Sequence, residues 1–236
     1  MISAISRALR PRRRDDAGLG LPELLVTMAL MSIVSLIVVT LFVSVSRAFN
    51  NDTTANDNTN SAAIGMNEIS RVLRAGTEIR RSGEATNTPV FLVATHSSVT
   101  VHAYLDTESD DPQPVKINFT LNASNELVET RYAAVASSDP YWTFSTTAQS
   151  TRVIARNVST SVATATATAT PLFTYIDVNG DPMTPTGSAF TATERSSIAA
   201  VGVSIEVQAN PDGLAKAVRI ENTVGIPNLS FSRLGL

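Results

Sequence analysis

Gly18-Leu19-Gly20-Leu21-Pro22-Glu23-Leu24-Leu25-Val26-Thr27-Met28 is the stretch on which the fold turns. It sets one carboxylate, Glu23, at the mouth of a segment that carries no charge from Leu24 to Ser46. Between positions 24 and 43 the only polar members are Thr27, Ser32, Ser35 and Thr40. An α-helix rises about 1.5 Å per residue, so this run spans about 30 Å, the thickness of a bilayer's hydrocarbon core. An acid at the end of such a helix is costly to keep without a partner, which marks Glu23 as a functional residue. A transmembrane helix is the expectation, and a fully buried helix of a soluble protein is the alternative.

Upstream lie Arg7, Arg10, Arg12, Arg13 and Arg14 against Asp15 and Asp16, a local charge of +3. The whole chain sums to −3, so everything after residue 18 is mildly acidic at −6. A secretory signal places its small-residue cleavage site after the apolar run. Here the small residue precedes it, so the apolar segment is expected to stay with the mature chain. The arginines hold the N-terminus in the cytoplasm and send the C-terminal part outside.

A glycine, an aliphatic residue, a proline, a glutamate at the fifth position and then an apolar run resembles the N-terminus of type IV prepilins. The resemblance is specific over residues 12–45 and loose beyond them. It departs from the commonest pattern in having Leu19 where Phe is usual and Gly20 where Thr is usual. Cutting after Gly20 would make Glu23 the third residue, whereas the family spacing favours Gly18. The resemblance implies that prepilin peptidase cuts after Gly18 and methylates the new amine of Leu19. It also implies that Glu23 neutralises the terminal amine of a neighbouring subunit, with Pro22 seated near the helix start. Proline is tolerated there because its missing amide would be unpaired anyway. Opposite charges attract far more strongly in a low-dielectric setting than in water, and each is expensive there alone.

Ala62, Met66, Ile69 and Leu73 recur at helical spacing and predict one buried face of an amphipathic helix. With Glu68-Ile69-Ser70-Arg71-Val72-Leu73-Arg74-Ala75 this resembles the second half of the long helix in W/J-type minor pilins. Glu68 and Arg71 are placed to pair on the solvent side. The intervening run 50–60 is rich in Asn, Asp and Thr, which are poor helix formers. It reads either as a continuation of the helix or as a softened, partly unwound piece.

Strands are expected at 90–95, 98–105, 115–121, 126–132, 151–156, 172–176, 200–208 and 215–222. Turns separate them at Asp110-Asp111-Pro112, Ala123-Ser124-Asn125, Asn179-Gly180-Asp181-Pro182 and Asn210-Pro211-Asp212-Gly213. The last of these marks the clearest hairpin. The run 162–170, an Ala-Thr repeat, reads as an exposed spacer or edge strand. The fold class is therefore α+β: a long N-terminal helix whose C-terminal half packs on a mostly antiparallel sheet. The expected organisation is a leader at 1–18, a transmembrane half at 19–46, an amphipathic half at 47–76 and a β-rich extracytoplasmic domain at 77–236.

Composition excludes several chemistries. There is no cysteine, hence no disulfide, thiol nucleophile or zinc ribbon. The acidic balance argues against direct nucleic-acid binding by the domain as a whole. No Gly-x-Ser-x-Gly elbow or phosphate loop occurs, so no enzymatic activity is expected. Asp177, Asn179 and Asp181 alternate oxygen side chains along a turn and offer calcium a partial ligand set, but the spacing fails the EF-hand pattern. An Asn-Gly turn explains them without a cofactor. His96 and His102 read as surface histidines. Tyr141-Trp142-Thr143-Phe144 reads as sheet packing, with an exposed contact patch as the alternative.

The sequence thus points to a structural minor pilin or pseudopilin, with other pilin subunits, prepilin peptidase and cytoplasmic-membrane lipid as partners. It would belong to a pilus, a secretion pseudopilus or a DNA-uptake filament. The alternative is a single-pass anchored binding or adhesion module that never enters a filament.

Overall fold

A computed structural model describes residues 20–81, 87–106, 110, 112–138, 141–159, 170–208 and 217–229. Helix α1 runs from Leu21 to Arg74. Ten strands and a short helix follow. These are β1 (Phe91–Ala94), β2 (Ser98–Ala103), β3 (Val115–Leu121), β4 (Leu127–Ser138), β5 (Tyr141–Phe144) and β6 (Ser150–Ala155). Then come β7 (Phe173–Asp177), β8 (Pro182–Met183), α2 (Ala192–Ser196), β9 (Ile198–Val207) and β10 (Val218–Gly225). The chain divides into two compact units, Met1–Phe49 and Asn50–Leu236.

The described part of the first unit is the apolar half of α1. In the second unit the expected helical stripe is the buried one: Ala62, Ile69, Val72 and Leu73 are fully inaccessible and Met66 nearly so. Gly65 lets the helix backbone approach the strands closely. A Cβ there would lie 3.2 Å from Ala155 Cβ and 3.3 Å from Ile205 Cδ1. The run 50–60, left open between two conformations by sequence, is helical. Thr54 and Thr59 return their hydroxyls to the carbonyls of Asn50 and Ala55, and Asn58 is buried.

The expected antiparallel architecture is present, and among the described residues its strands form two sheets, both antiparallel. The first has the order β1-β2-β3-β4, with β6 beside Leu127–Arg131 and β5 beside Ala134–Ser138 of the same long strand. The second has the order β10-β9-β7-β8. They meet where Val158 bridges Val207 and where Phe173 and Phe190 donate their amides to His96 and Ala94. Strand β9 shows why these residues are strands. Ile198, Val201, Val203, Ile205 and Val207 are buried, while Gly202, Ser204 and Glu206 on the other face are half-exposed.

Strand β4 extends to Ser138, beyond the expected 132, because β5 pairs with its second half. The elements β5, β8 and α2 were not among the expected ones; they are four, two and five residues long, too short for a periodic signal. Helix α2 is set by a capping box. Thr191 Oγ1 accepts from the Glu194 amide, and the Glu194 carboxylate accepts from the Thr191 amide at 2.7 Å. It covers the edge of β1, where Arg195 Nε donates to Phe91 O at 3.1 Å. The Asn210-Pro211-Asp212-Gly213 turn and nearly all of the Ala-Thr repeat lie outside the described residues, although the strands flanking the turn pair in full register.

Candidate functional site

Helix α1 opens with its first amides directed at one carbonyl: Glu23 N and Leu24 N donate to Gly20 O at 2.9 and 3.1 Å. Pro22 has no amide to contribute and sits in the first turn, where none is needed. Glu23 lies in the same turn, exposed, with no ion pair among the described residues. Gly18 and Leu19 lie outside the described residues.

From Leu21 to Val45 every large apolar side chain is uncovered, from 39% exposed at Val43 to 81% at Leu21. That surface cannot be the resting state of a helix in water, because each exposed Leu, Ile or Val forgoes about 1.5–3 kcal/mol of burial. Four of its side-chain hydroxyls are satisfied within the helix. The hydroxyls of Thr27, Ser32, Thr40 and Ser44 donate to carbonyls three or four residues earlier at 2.8–2.9 Å. A helix with an uncharged surface and self-bonded hydroxyls is suited to lipid or to apolar neighbours. The helix is long and apolar enough to span a membrane once.

The second unit carries an ionic cluster that sequence reasoning missed. Glu68 pairs with Arg71 as expected, but not on a solvated face: its side chain is only 15% exposed and gathers three guanidinium groups. Arg71, Arg152 and Arg131 reach its Oε1 at 2.6, 2.8 and 3.0 Å. Glu129 of β4 is completely buried and is held by Arg131 Nε and, at 2.6 Å, by Arg152 Nε. The cause is the strand period. Leu127, Glu129 and Arg131 fall on the inward face of β4, and Arg152 lies opposite Glu129 on β6. Inward charges alternating with Val128 and Thr130 were the available signal. Burial alone would raise the Glu68 pKa, but the Arg71 hydrogen bond and the three cationic charges carry it below the ordinary value.

His102 also corrects an expectation. It is 1% exposed rather than on the surface, and its ring stacks on Phe144 with centroids 4.9 Å apart. Neither ring nitrogen makes a well-formed hydrogen bond, although the Pro89 carbonyl is near enough to favour the cation slightly. Burial dominates, reinforced by the Arg81 and Lys116 charges, and depresses its pKa to about 4. The sheet-packing reading of Tyr141-Trp142-Thr143-Phe144 agrees with their place in β5. His96 Nδ1 lies 3.2 Å from Phe173 O at the junction of the two sheets.

Asp177, Asn179 and Asp181 are brought together as a turn. Asp177 Oδ1 accepts from the amides of Asn179 and Asp181 at 2.8 and 2.9 Å, and Oδ2 from Asn179 Nδ2 at 3.1 Å. Gly180 follows at φ +90°, a conformation glycine adopts at no cost. The Asp181 amide leads the interactions that lower the Asp177 pKa. The two carboxylate oxygens are thus engaged in closing the β7–β8 connection. Among the described residues no three His, Asp or Glu side chains converge as a metal-binding group.

No family model matches the chain, and no curated protein matches it.

Proposed function

We propose that this chain is a structural minor pilin or pseudopilin subunit, made as a prepilin, cut after Gly18 and anchored in the cytoplasmic membrane by α1. The observation that carries the proposal is the coupling of two features at one place. A carboxylate with no ion pair among the described residues, Glu23, sits five residues past the glycine of an arginine-rich leader. Immediately after it, an uncharged helix leaves every large apolar side chain uncovered. Lipid would cover that surface in storage, and the helices of neighbouring subunits would cover it in a filament. The liberated amine of Leu19 in one subunit would be neutralised by Glu23 of the next, fixing axial register where Leu, Ile and Val contacts cannot. The domain outside the membrane would present the β-rich surface, and no catalysis is assigned to it. Calcium at Asp177, Asn179 and Asp181 forms no part of the proposal, because the turn already uses the Asp177 oxygens.

Mass spectrometry of the mature N-terminus tests the first step: an N-methylated Leu19 is expected, and an intact Met1 would instead make the chain a static anchor. Glu23→Ala tests the second. Membrane insertion should persist while incorporation into filaments is lost, and undiminished incorporation would overturn the amine pairing.

A further inference from the structure

We infer that β10 is an open strand edge by which the domain pairs with a second copy of this chain, antiparallel and in one register. The other sheet borders are occupied or short. The edge of β1 is covered by Phe190 and Arg195, β5 receives Arg80 O on the Trp142 amide, and β6, two residues shorter than β10, is met only just past its end, where the Arg156 amide donates to Ser61 Oγ. Strand β8 is two residues long and begins with proline. By contrast β10 is eight residues long, free of proline, and pairs with β9 without a bulge. Long, regular, uncovered edges are what proteins ordinarily blunt.

The direction of each backbone group in β10 follows from its neighbours. Ser204 N donates to Leu172 O, so even-numbered residues of β9 point away from β10 and odd-numbered ones point towards it. Val203 stands opposite Asn222 and Ile205 opposite Ile220, so the even residues of β10 face β9. Ile226 N, bonded to Ala199 O, confirms the phase. Arg219, Glu221, Thr223 and Gly225 therefore turn their amides and carbonyls outward. Among the described residues none of these groups has a partner. A Cβ built on Gly225 would meet nothing within 4 Å.

Charge selects the occupant and the register. Only odd residues can bond across the new seam, so allowed registers differ by steps of two residues. One of them sets Arg219 against Glu221 of the second copy and Glu221 against its Arg219, with Ala217 and Thr223 opposed at the ends. The seam then carries a square of alternating charges on the exposed face. Arg219 and Glu221 already pair within one chain there, with Ser204 between them. Slipping by two residues either way sets arginine on arginine or glutamate on glutamate, which is unfavourable. The contact is self-complementary, as a twofold interface must be, and it joins two four-stranded sheets into one of eight strands. It does not depend on filament assembly.

The natural absence of cysteine makes the test direct. Full-length chains carrying Arg219→Cys or Glu221→Cys, with different tags, are co-expressed and oxidised in isolated membranes. Opposed Cα atoms in this register lie about 5.5 Å apart, within disulfide reach. Like positions lie about 9 Å apart, beyond it. The mixed disulfide should exceed either like-with-like product at least fivefold, and adding Thr223→Pro should remove that excess. That proline takes away only an outward amide. If the proline chain fails to fold, charge reversal decides. Tagged Arg219→Glu copies should fail to co-purify with one another, as should Glu221→Arg copies, while one of each should co-purify. Equal like-with-like crosslinking, crosslinks to a different protein alone, or indifference to charge reversal would overturn the inference, whatever the fate of Glu23 in filaments.

Discussion

Glu129→Gln is the sharpest perturbation of the second unit, because it removes one charge while keeping shape. The wild-type cluster sets Arg71, Arg131 and Arg152 against Glu68 and Glu129, an excess of one positive charge; the variant has an excess of two. Breaking a buried ion pair by removing one partner costs roughly 3–5 kcal/mol when the other is left stranded. Here the stranded groups are only partly buried: the Arg131 and Arg152 side chains are 27% and 52% exposed and recover some hydration. The expected loss is therefore nearer 2–3 kcal/mol. A domain of this size loses about 2–4 °C per kcal/mol, so the midpoint should fall by about 5–10 °C. The assay is thermal unfolding of the full chain in detergent micelles, followed by the single Trp142 and by far-ultraviolet dichroism. Glu68→Gln should cost less, about 1 kcal/mol, because that side chain keeps some solvent contact. Combining Glu129→Gln with Arg152→Ala should recover about 1–2 kcal/mol relative to additivity, since the two changes remove the same interaction. A Glu129→Gln midpoint within 1 °C of wild type, or strict additivity with Arg152→Ala, would refute the idea that this buried cluster stabilises the second unit.

Acidification should destabilise the domain through His102. Its native pKa of about 4 lies below the ordinary 6.5, so the unfolded chain binds the proton first, and stability falls as pH drops from 6.5 towards 4. The gap is worth roughly 3 kcal/mol, and His102→Phe, which keeps the stack on Phe144, should abolish that part of a denaturant-midpoint pH profile. Glu68 acts in the same direction at lower pH. Its depressed pKa adds stability above the unfolded value of about 4.5 that is lost as pH falls through the folded one, and Glu68→Gln should flatten that limb. Ile69→Ala, at a fully buried position on α1, should cost about 3–4 kcal/mol in the same unfolding measurement. Within α1 beyond Phe49, amide exchange should be fastest over 50–60 and slowest over 66–73.

The legible parts of this fold are those where one period runs long enough to be counted. The stripe Ala62, Met66, Ile69 and Leu73 and the alternation in β3 and β9 place the core in advance. The opaque parts share a physical cause: a residue's burial is decided by partners distant in sequence. Glu129 looks like a solvated strand residue until Arg152 arrives on β6. His102 looks exposed until Phe144 arrives on β5. The split into two sheets is equally remote, resting on the Val158–Val207 bridge and on amides that cross from Phe173 and Phe190. At the proposed assembly site the balance is reversed. The reading of Glu23 and Pro22 rests on one contiguous segment and needs no distant partner, and the structure adds the uncovered surface and the self-bonded hydroxyls beside them.

The run 50–60 shows how close the competing terms can be. Asn, Asp and Thr each disfavour a helix by roughly 0.5 kcal/mol relative to Ala, so the eleven residues together cost about 5 kcal/mol. Unwinding them would oblige the chain to start a second helix at about Ser61, and a nucleation constant near 10⁻³ makes that cost about 4 kcal/mol. The two terms nearly cancel, which is why propensity alone leaves the conformation undecided. Two small contributions then tip the balance towards helix. Asn58 is inaccessible to solvent only if α1 is already helical one turn before Ala62. Thr54 and Thr59 satisfy their hydroxyls on carbonyls four residues back, which only a helix presents at that distance. A segment held by so small a margin is the softest stretch of α1 that lies past its uncharged half. It is also where water must be tolerated, since the residues before it shun solvent and the charges of Glu68 and Arg71 after it shun lipid. Polar, weakly helical residues meet both demands, whereas alanines would stiffen the helix and leucines would extend the apolar surface.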